Sequence, residues 1–215
     1  MIRLQPWDFQ KPSHLPSLAD RLMPSSIQKE PTTLAIALGA NLPSPVGSPT
    51  KTLIKVRPEL EAVIQDWLTD SLAENKGLEK SYKELRWRWS PLFETDAIGG
   101  PSGQPAYINA VLVVDGPRLS SLNPSKKAAL NLLERFLKIE KDFGRDRNNP
   151  SIKWGPRSLD LDFLAWGGLQ VEHKNLTLPH PRLIERSFVI LPLAEALTNH
   201  CKKPRRISPQ LNWKE

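Results

Sequence analysis

Residues 154–163 of this chain, with the sequence WGPRSLDLDF, place two carboxylates inside an otherwise apolar segment. Such a run predicts a strand, and because strand side chains alternate between faces, Asp160 and Asp162 project from the same face. Neighbouring acids repel each other and resist burial, a conflict that a divalent cation would remove. Mg²⁺ prefers a few carboxylates together with phosphate oxygens, so the pair predicts a metal site.

An Asp-x-Asp pair is also compatible with a half-buried strand whose acidic face is solvated. Two features argue against that simpler interpretation. The apolar run continues through residues 164–166, which indicates a central strand. Cationic residues are concentrated nearby, as expected where bases hold anions beside acids that hold metal. These cations are Arg145, Arg147, Lys153, Arg157 and Arg186.

The composition limits the class of protein. The chain has 215 residues, with 30 Lys and Arg against 23 Asp and Glu and a net charge of +7. This balance favours anionic partners such as nucleic acid or phosphorylated small molecules. The single cysteine excludes a disulfide framework and suits a reducing compartment, so we expect a cytoplasmic location. No apolar run approaches the ~20 residues of a membrane helix, and no membrane partner is expected.

The hydrophobic pattern predicts an α+β fold. Strand-like runs and segments with helical spacing follow each other in the order strand, helix, strand, strand, helix, strand. That order is a split βαβ arrangement and predicts a ferredoxin-like βαββαβ core, a mainly antiparallel sheet packed with helices. Gly39 is expected to end the first strand. The predicted strands lie near 33–38, 86–95, 108–115 and 159–163, and the predicted helices near 55–75 and 125–144.

Three regions are predicted along the chain. Residues 1–31 are Pro-rich and lack periodicity, so we expect a flexible N-terminal extension. Residues 32–198 are predicted to form one folded domain, and residues 199–215 a basic C-terminal tail. Neither a Gly-x-x-x-x-Gly-Lys-Ser/Thr loop nor a Gly-x-Gly-x-x-Gly segment occurs, so a nucleotide would be bound without those cradles.

Seven segments, in order along the chain, resemble the motifs of one enzyme family. They are Leu38–Leu42, Ser90–Thr95, Gly99–Pro101, Gln104–Val111, Gly144–Arg147, Trp154–Asp162 and Leu176–Leu183. Together they are similar to 6-hydroxymethyl-7,8-dihydropterin pyrophosphokinase, also called 2-amino-4-hydroxy-6-hydroxymethyldihydropteridine diphosphokinase. The resemblance implies that residues 32–198 are a pterin pyrophosphokinase domain. It implies transfer of pyrophosphate from ATP to the hydroxymethyl group of the pterin, leaving AMP, in folate biosynthesis.

The resemblance also implies roles for individual residues. Asp160 and Asp162 would hold two Mg²⁺ ions between ATP and the acceptor hydroxyl, and would act with Arg145 and Arg157 as the catalytic set. This set suits the chemistry, because phosphoryl-type transfer depends on charge neutralisation and positioning more than on covalent help. The implied pterin-binding residues are Thr95, Ile98, Tyr107, Asn109 and Phe188. The implied ATP-binding residues are Glu140, Arg147, Trp154, Arg157, Thr177, His180 and Arg186.

Other functions stay open from the residues alone. A basic RNA-binding module would explain the charge and the Arg-Trp-Arg-Trp alternation at 86–89, but the basic-Gly-aromatic segment typical of such sheets is absent from the sequence. A metal-dependent nuclease or nucleotidyltransferase would use the acid pair but would not need Tyr107, Asn109 and Phe188. We therefore expect a monomer whose partners are ATP and the pterin, with no specific nucleic acid. The polar loop 145–153 is expected to close when nucleotide and metal bind.

Overall fold

The computed structural model describes residues 32–74, 84–147 and 154–198. The predicted N-terminal extension, 1–31, and the predicted basic tail, 199–215, lie outside the described residues. Residues 148–153 of the loop that we expect to close also lie outside them. None of the described helices combines the length and the apolar character that crossing a membrane requires.

Seven strands and four helices are formed by the residues that the structure describes. The strands are β1 (Leu34–Ala40), β2 (Arg86–Trp89), β3 (Phe93–Thr95), β4 (Tyr107–Asp115), β5 (Asp160–Trp166), β6 (Val171–His173) and β7 (Leu176–Leu178). The helices are α1 (Pro49–Glu74), α2 (Pro117–Ser121), α3 (Lys126–Asp142) and α4 (Ser187–Thr198).

Five of the strands form one antiparallel sheet. The order is β2-β4-β1-β5, and β3 pairs with β4 next to the end of β2. The strands β6 and β7 form a separate antiparallel pair. This arrangement confirms the predicted α+β class, in which an antiparallel sheet is packed with helices.

The central strand β1 is buried along its whole length, which requires cover on both faces of the sheet. Leu34, Ile36 and Leu38 belong to the main core, together with the apolar residues of α1 and α3. Ala35 and Ala37 belong to a smaller cluster on the opposite face, with Val189 of α4. Because alanine is small, α4 can pack closely against that face.

Two predicted boundaries follow from local chemistry. The helix predicted at 125–144 begins at Lys126, because Ser125 is its N-cap and its hydroxyl accepts a hydrogen bond of 3.3 Å from the backbone of Ala128. The predicted strand 86–95 divides into β2 and β3 at Ser90. There the Ser90 hydroxyl accepts a hydrogen bond of 2.9 Å from the backbone N–H of Val111. At this position the Ser90 side chain replaces a backbone hydrogen bond to β4.

Two features differ from the sequence-based expectation. The prediction that Gly39 ends the first strand is wrong, because β1 continues to Ala40 and Gly39 is paired on both sides. The helices α2 and α4 and the β6–β7 pair are additional to the predicted βαββαβ order. In α4 the nearly continuous apolar sequence and the internal Pro192 obscure helical periodicity.

Candidate active site

Three neighbouring strands bring Gly39, Asn109 and Asp160 side by side. Gly39 of β1 is paired with Asn109 of β4 on one side and with Asp160 of β5 on the other. Paired residues of antiparallel strands project from the same face, which here is the α4 face. A cavity of about 260 Å³ opens on this face, and we call it the first cavity. All residues implied to bind the pterin line it, namely Thr95, Ile98, Tyr107, Asn109 and Phe188.

The Asn109 side chain is buried and held in one orientation. Its amide nitrogen donates a hydrogen bond of 2.8 Å to the hydroxyl of Thr95. A Cβ placed on Gly39 would lie only 3.0 Å from the Asn109 amide oxygen. The amide oxygen therefore lies over Gly39 and is oriented to accept hydrogen bonds from the N–H groups of a bound heterocycle.

Three aromatic rings line the first cavity, from Tyr107 of β4, Phe188 of α4 and Trp154 before β5. The hydroxyl of Tyr107 donates a hydrogen bond of 3.1 Å to the carbonyl of Gly155, which ties β4 to the turn before β5. Burial raises the pKa of Tyr107 although the Arg157 charge opposes the shift, so the phenol stays protonated at neutral pH. Phe188 contributes the second ring. A flat ligand could stack on either ring.

Asp160 and Asp162 both line the first cavity but have different partners. Asp160 accepts hydrogen bonds from Arg145 and, at 2.5 Å, from Arg157, whereas Asp162 contacts Arg186 at 3.2 Å. Burial acts to raise the pKa of Asp160, but the two arginines outweigh it and hold that pKa below its ordinary value. Burial and the neighbouring Asp160 charge raise the pKa of Asp162. Asp162 is therefore the less compensated acid.

The two acids fit a hard cation that is shared with another ligand. Within the described residues, no group of three or more His, Cys, Asp or Glu side chains could hold a metal ion. Mg²⁺ does not require such a group, because it is commonly held by one or two carboxylates and keeps water or phosphate oxygens as its other ligands. The raised pKa of Asp162 reflects burial and, in addition, repulsion from Asp160, and a bound cation would stabilise the charged form against both.

The turn before β5 is fixed by the loop after β1. The backbone N–H of Arg157 donates a hydrogen bond of 2.8 Å to the side-chain oxygen of Asn41. The backbone N–H groups of Asn41 and Leu42 both donate to the carbonyl of Arg157 at 3.0 Å. These contacts fix the backbone of Arg157, and its guanidinium group is thereby directed at Asp160.

A second cavity, of about 570 Å³, is lined by residues of β5, α3 and the β6–β7 pair. Of the residues implied to bind ATP, Arg147, Thr177 and His180 line this cavity. Asp162 lines both cavities. The linings of the two cavities therefore share one residue of the acid pair.

His180 offers one hydrogen-bond donor at the second cavity. Its Nδ1 accepts a hydrogen bond of 3.2 Å from the backbone N–H of Arg182, so the proton of the neutral ring lies on Nε2. Burial lowers the pKa of His180, although the Asp162 carboxylate opposes the shift. Burial thus favours the neutral imidazole, which presents an Nε2–H that can donate to an anionic ligand.

Glu140, near the end of α3, lies outside the linings of both cavities. Its side chain is 1% exposed, and its oxygens accept hydrogen bonds from Arg145 at 2.7 Å and from Arg147 Nε at 3.0 Å. The backbone N–H of Leu161 donates to it at 2.8 Å. Burial raises the pKa of Glu140, although the Arg145 charge opposes the shift. The geometry favours a role in holding the two arginines over a direct contact with ATP.

The remaining implied ATP residues line the first cavity. Trp154, Arg157 and Arg186 all belong to this lining, so the structure brings them beside the implied pterin residues. Arg145 joins the same group through its hydrogen bond to Asp160. Arg145, Arg157 and Arg186, which come from different segments of the chain, thus lie around the acid pair.

Sequence reasoning missed several cavity residues. These are Gly39, Asp96, Arg182 and Glu185 in the first cavity and His173, Lys174 and Asn175 in the second. The missed side chains lie in loops or short strands, where single polar residues carry no periodic signal. Gly39 did carry a signal, because a glycine inside an apolar strand marks a close approach of backbone or ligand.

Comparison with known proteins identifies relatives of this chain. Residues 35–198 match the family model described as 7,8-dihydro-6-hydroxymethylpterin-pyrophosphokinase. The 2-amino-4-hydroxy-6-hydroxymethyldihydropteridine pyrophosphokinases of Synechocystis sp. and Bacillus subtilis are 43% and 39% identical over 108 and 106 residues. These alignments cover 50% and 49% of this chain and 48% and 56% of the relatives. The Folate synthesis bifunctional protein of Arabidopsis thaliana is 37% identical over 120 residues, or 56% of this chain and 22% of that protein.

The chain thus spans about half the length of the curated relatives that it matches. The family model matches a longer part of this chain than these relatives do, namely residues 35–198. That range contains every residue that lines the two cavities. The chain belongs to the 7,8-dihydro-6-hydroxymethylpterin-pyrophosphokinase family.

Proposed function

We propose that this chain transfers pyrophosphate from ATP to the hydroxymethyl group of 6-hydroxymethyl-7,8-dihydropterin, giving AMP and the pterin diphosphate in folate biosynthesis. The observation that carries the proposal is that two cavities with different linings share Asp162. One substrate in each cavity would place an acceptor hydroxyl and a polyphosphate at the same acid pair. Membership of the family supports this assignment.

The first cavity is the proposed pterin site. Tyr107 and Phe188 would stack on the planar ring system, and Asn109 would accept hydrogen bonds from the edge of the ring. Thr95 supports this contact by holding the Asn109 amide nitrogen. Ile98 is 69% exposed at the rim, and a bound pterin would cover part of it.

The second cavity is the proposed nucleotide site. Arg147 and the Nε2–H of His180 would contact phosphate oxygens, and Thr177 would lie beside the remainder of the nucleotide. Arg145, Arg157 and Arg186 are held close to the acid pair. These three arginines would bind the transferring group, whose charge they compensate.

The reaction requires attack by the hydroxymethyl oxygen on the β-phosphorus and loss of AMP with the α-phosphate. Asp160 and Asp162 would hold Mg²⁺, and we propose two ions. When bound, Mg²⁺ would neutralise polyphosphate charge and favour loss of the hydroxyl proton. The chain itself orients both substrates and, through its arginines, stabilises the charge that develops on the leaving phosphate.

We also propose a ferredoxin-like topology for the core. The antiparallel order β2-β4-β1-β5, with α1 after β1 and α3 after β4, supports it. Residues 32–198 would be the pyrophosphokinase domain, with which the family match at 35–198 agrees. A monomer in the cytoplasm is part of the same proposal, since a single cysteine suits a reducing compartment.

No finding supports the RNA-binding alternative. The Arg-Trp-Arg-Trp segment that favoured it is engaged within the domain. Arg86, at 2.6 Å, and Arg88 both bind the buried carboxylate of Asp115. The indole N–H of Trp89 donates a hydrogen bond of 2.7 Å to Glu61. These side chains are therefore occupied by contacts that stabilise β2.

The proposal is tested by incubating the purified chain with ATP, Mg²⁺ and 6-hydroxymethyl-7,8-dihydropterin. We expect stoichiometric formation of AMP and a pterin diphosphate, and no AMP when the pterin is omitted. Formation of ADP would indicate transfer of a single phosphate and would reject the proposal. Absence of any pterin-dependent nucleotide turnover would reject it as well.

A further inference from the structure

Arg182 and Trp154 contact each other at the first cavity. The guanidinium carbon of Arg182 lies 4.8 Å from the centroid of the Trp154 ring. This distance is within the ~6 Å range of a cation–π interaction. Both residues line the cavity, although Trp154 precedes β5 and Arg182 lies between β7 and α4. The contact therefore joins two segments of the cavity wall that are distant in sequence.

The backbone of Trp154 is held in an unusual conformation. Its φ is 59°, in the left-handed region that residues with a side chain rarely adopt. Its carbonyl accepts a hydrogen bond of 3.0 Å from the side chain of Gln104. Such conformations persist where the surroundings fix them, and they are concentrated at ligand sites.

The loop opposite Trp154 is shaped around it. A Cβ on Gly99 would lie 2.7 Å from the Trp154 ring, and a Cβ on Gly100 would lie 2.3 Å from its carbonyl oxygen. Both glycines also have positive φ. The indole thus lies against this loop on one side and is contacted by Arg182.

Arg182 is fixed by its backbone rather than by an ion pair. Its N–H donates to His180 Nδ1 at 3.2 Å, and its carbonyl accepts from the backbone of Glu185 at 3.3 Å. Among the described residues, the ion pairs do not include the Arg182 side chain. Its guanidinium group contacts the Trp154 ring. Its backbone N–H orients His180, which lines the second cavity.

We infer that Arg182 is a positioning residue for the first cavity, whose guanidinium holds the Trp154 indole in place in the wall of the pterin site. The inference rests on the proposed function only for the identity of the ligand. A ring held in place by Arg182 lowers the ordering cost of binding, so loss of the cation weakens pterin binding. A cation–π contact at an exposed site corresponds to about a two- to fivefold change in affinity.

The contact is tested by a double-mutant cycle of Arg182→Gln and Trp154→Leu. Titration calorimetry measures 6-hydroxymethylpterin binding in the presence of Mg²⁺ and a non-hydrolysable ATP analogue. Arg182→Gln alone weakens pterin binding two- to fivefold, whereas in the Trp154→Leu background it has no further effect. Arg182→Lys, which keeps the cation, restores part of the affinity. Equal losses in both backgrounds would mean that Arg182 acts on the ligand directly, which overturns the inference.

A spectroscopic measurement tests the same contact without substrate. In protein labelled with 5-fluorotryptophan, Arg182→Gln shifts the ¹⁹F resonance of Trp154, assigned with a Trp154→Phe variant. The matched control is Arg57→Gln, because Arg57 lies 4.7 Å from the ring centroid of Trp89, which lines neither cavity. It shifts the Trp89 resonance and leaves that of Trp154 unchanged.

The two measurements separate this inference from the proposed function. An unchanged Trp154 resonance in Arg182→Gln overturns the inference even if the wild-type chain is an active pyrophosphokinase. Failure of the wild-type chain to bind pterin, with the resonance shift present, rejects the proposed function and leaves the contact supported.

Discussion

The carboxylate of Glu140 accepts a hydrogen bond of 2.8 Å from the backbone N–H of Leu161, the residue between Asp160 and Asp162. The same carboxylate binds Arg145 and Arg147. One buried group at the end of α3 therefore fixes both the strand that carries the acids and two cations near them. Glu140 therefore sets the position of the two arginines relative to Asp160 and Asp162.

Glu140→Gln should damage stability and turnover together. The amide keeps one oxygen acceptor for several donors and adds an N–H group that has no acceptor in the same place. The raised pKa of Glu140 means that its charge alone does not favour folding, so the loss comes from the donors of Arg145, Arg147 and Leu161 that the amide cannot satisfy. We expect a loss of about 1–3 kcal/mol in the free energy of unfolding, measured with urea, and a lower kcat. Glu134→Gln, an exposed change on the same helix, is the control and should stay within about 0.5 kcal/mol. Wild-type stability and kcat in Glu140→Gln would contradict the role of anchor.

Asp160→Asn and Asp162→Asn should each reduce turnover by at least about a hundredfold, because each removes charge that Mg²⁺ needs. Their effects on stability should differ. The lowered pKa of Asp160 means that its charge favours folding at neutral pH, so Asp160→Asn destabilises the chain. The raised pKa of Asp162 means that its charge opposes folding, so Asp162→Asn is neutral or stabilising.

Thermal unfolding at pH 7 without Mg²⁺ measures this asymmetry. Asp66→Asn, an exposed change on α1, is the control for loss of one negative charge. A stabilised Asp160→Asn with a destabilised Asp162→Asn would reverse the assignment of partners to the two acids.

Gly39→Ala should weaken pterin binding and leave the fold intact. The new Cβ would lie 3.0 Å from the Asn109 amide oxygen and 3.7 Å from the Tyr107 ring, so it would occupy the floor of the first cavity. We expect at least a several-fold loss of pterin affinity and only a small change in stability, because the backbone entropy gain of alanine, about 0.5–1 kcal/mol, is opposed by the shift that the tightly held Asn109 amide must make. Calorimetry and urea unfolding check the two parts. Gly168→Ala is the matched control, since no atom lies within 4 Å of its Cβ position.

Changes in the two cavities should separate the two substrates. Phe188→Ala removes a ring from the first cavity, and ring stacking is worth about 1 kcal/mol beyond area burial, so pterin affinity should fall at least about fivefold. Thr177→Ala removes a hydroxyl from the second cavity and should weaken ATP binding more than pterin binding. Calorimetric titrations with each ligand measure both variants. If Phe188→Ala weakened ATP binding more than pterin binding, the first cavity would be the nucleotide site and the proposed assignment would be wrong.

The strand that carries the acids was predictable because its signal is local. Alternation over 159–163 places Asp160 and Asp162 on one face, and Leu161 and Phe163 are buried on the other, as expected. The side of the sheet that is open to ligands was not predictable. It depends on where α4 packs, and the run that forms α4 shows no clear helical period.

The contacts among site residues depend on tertiary register. Glu140 and Leu161 are hydrogen-bonded across 21 positions of sequence, and no spacing rule connects them. The sequence predicts that Gly39 ends a strand, because glycine commonly does so, whereas its pairing with Asn109 and Asp160 keeps it inside β1. The resemblance to the family implied an ATP contact for Glu140 and no site role for Gly39, so neither contact followed from it.

The pairing of Arg86 and Arg88 with Asp115 has a consequence for association between copies. β2 ends the strand order of the main sheet, and an edge strand offers unpaired backbone groups to other chains. Two arginines of this strand share one buried carboxylate, so one of their two positive charges is left uncompensated, and the Arg86 side chain, 49% exposed, is the more accessible of the two. A second copy approaching edge to edge would meet a like charge, so we expect this ion-pair cluster to disfavour pairing between two β2 strands.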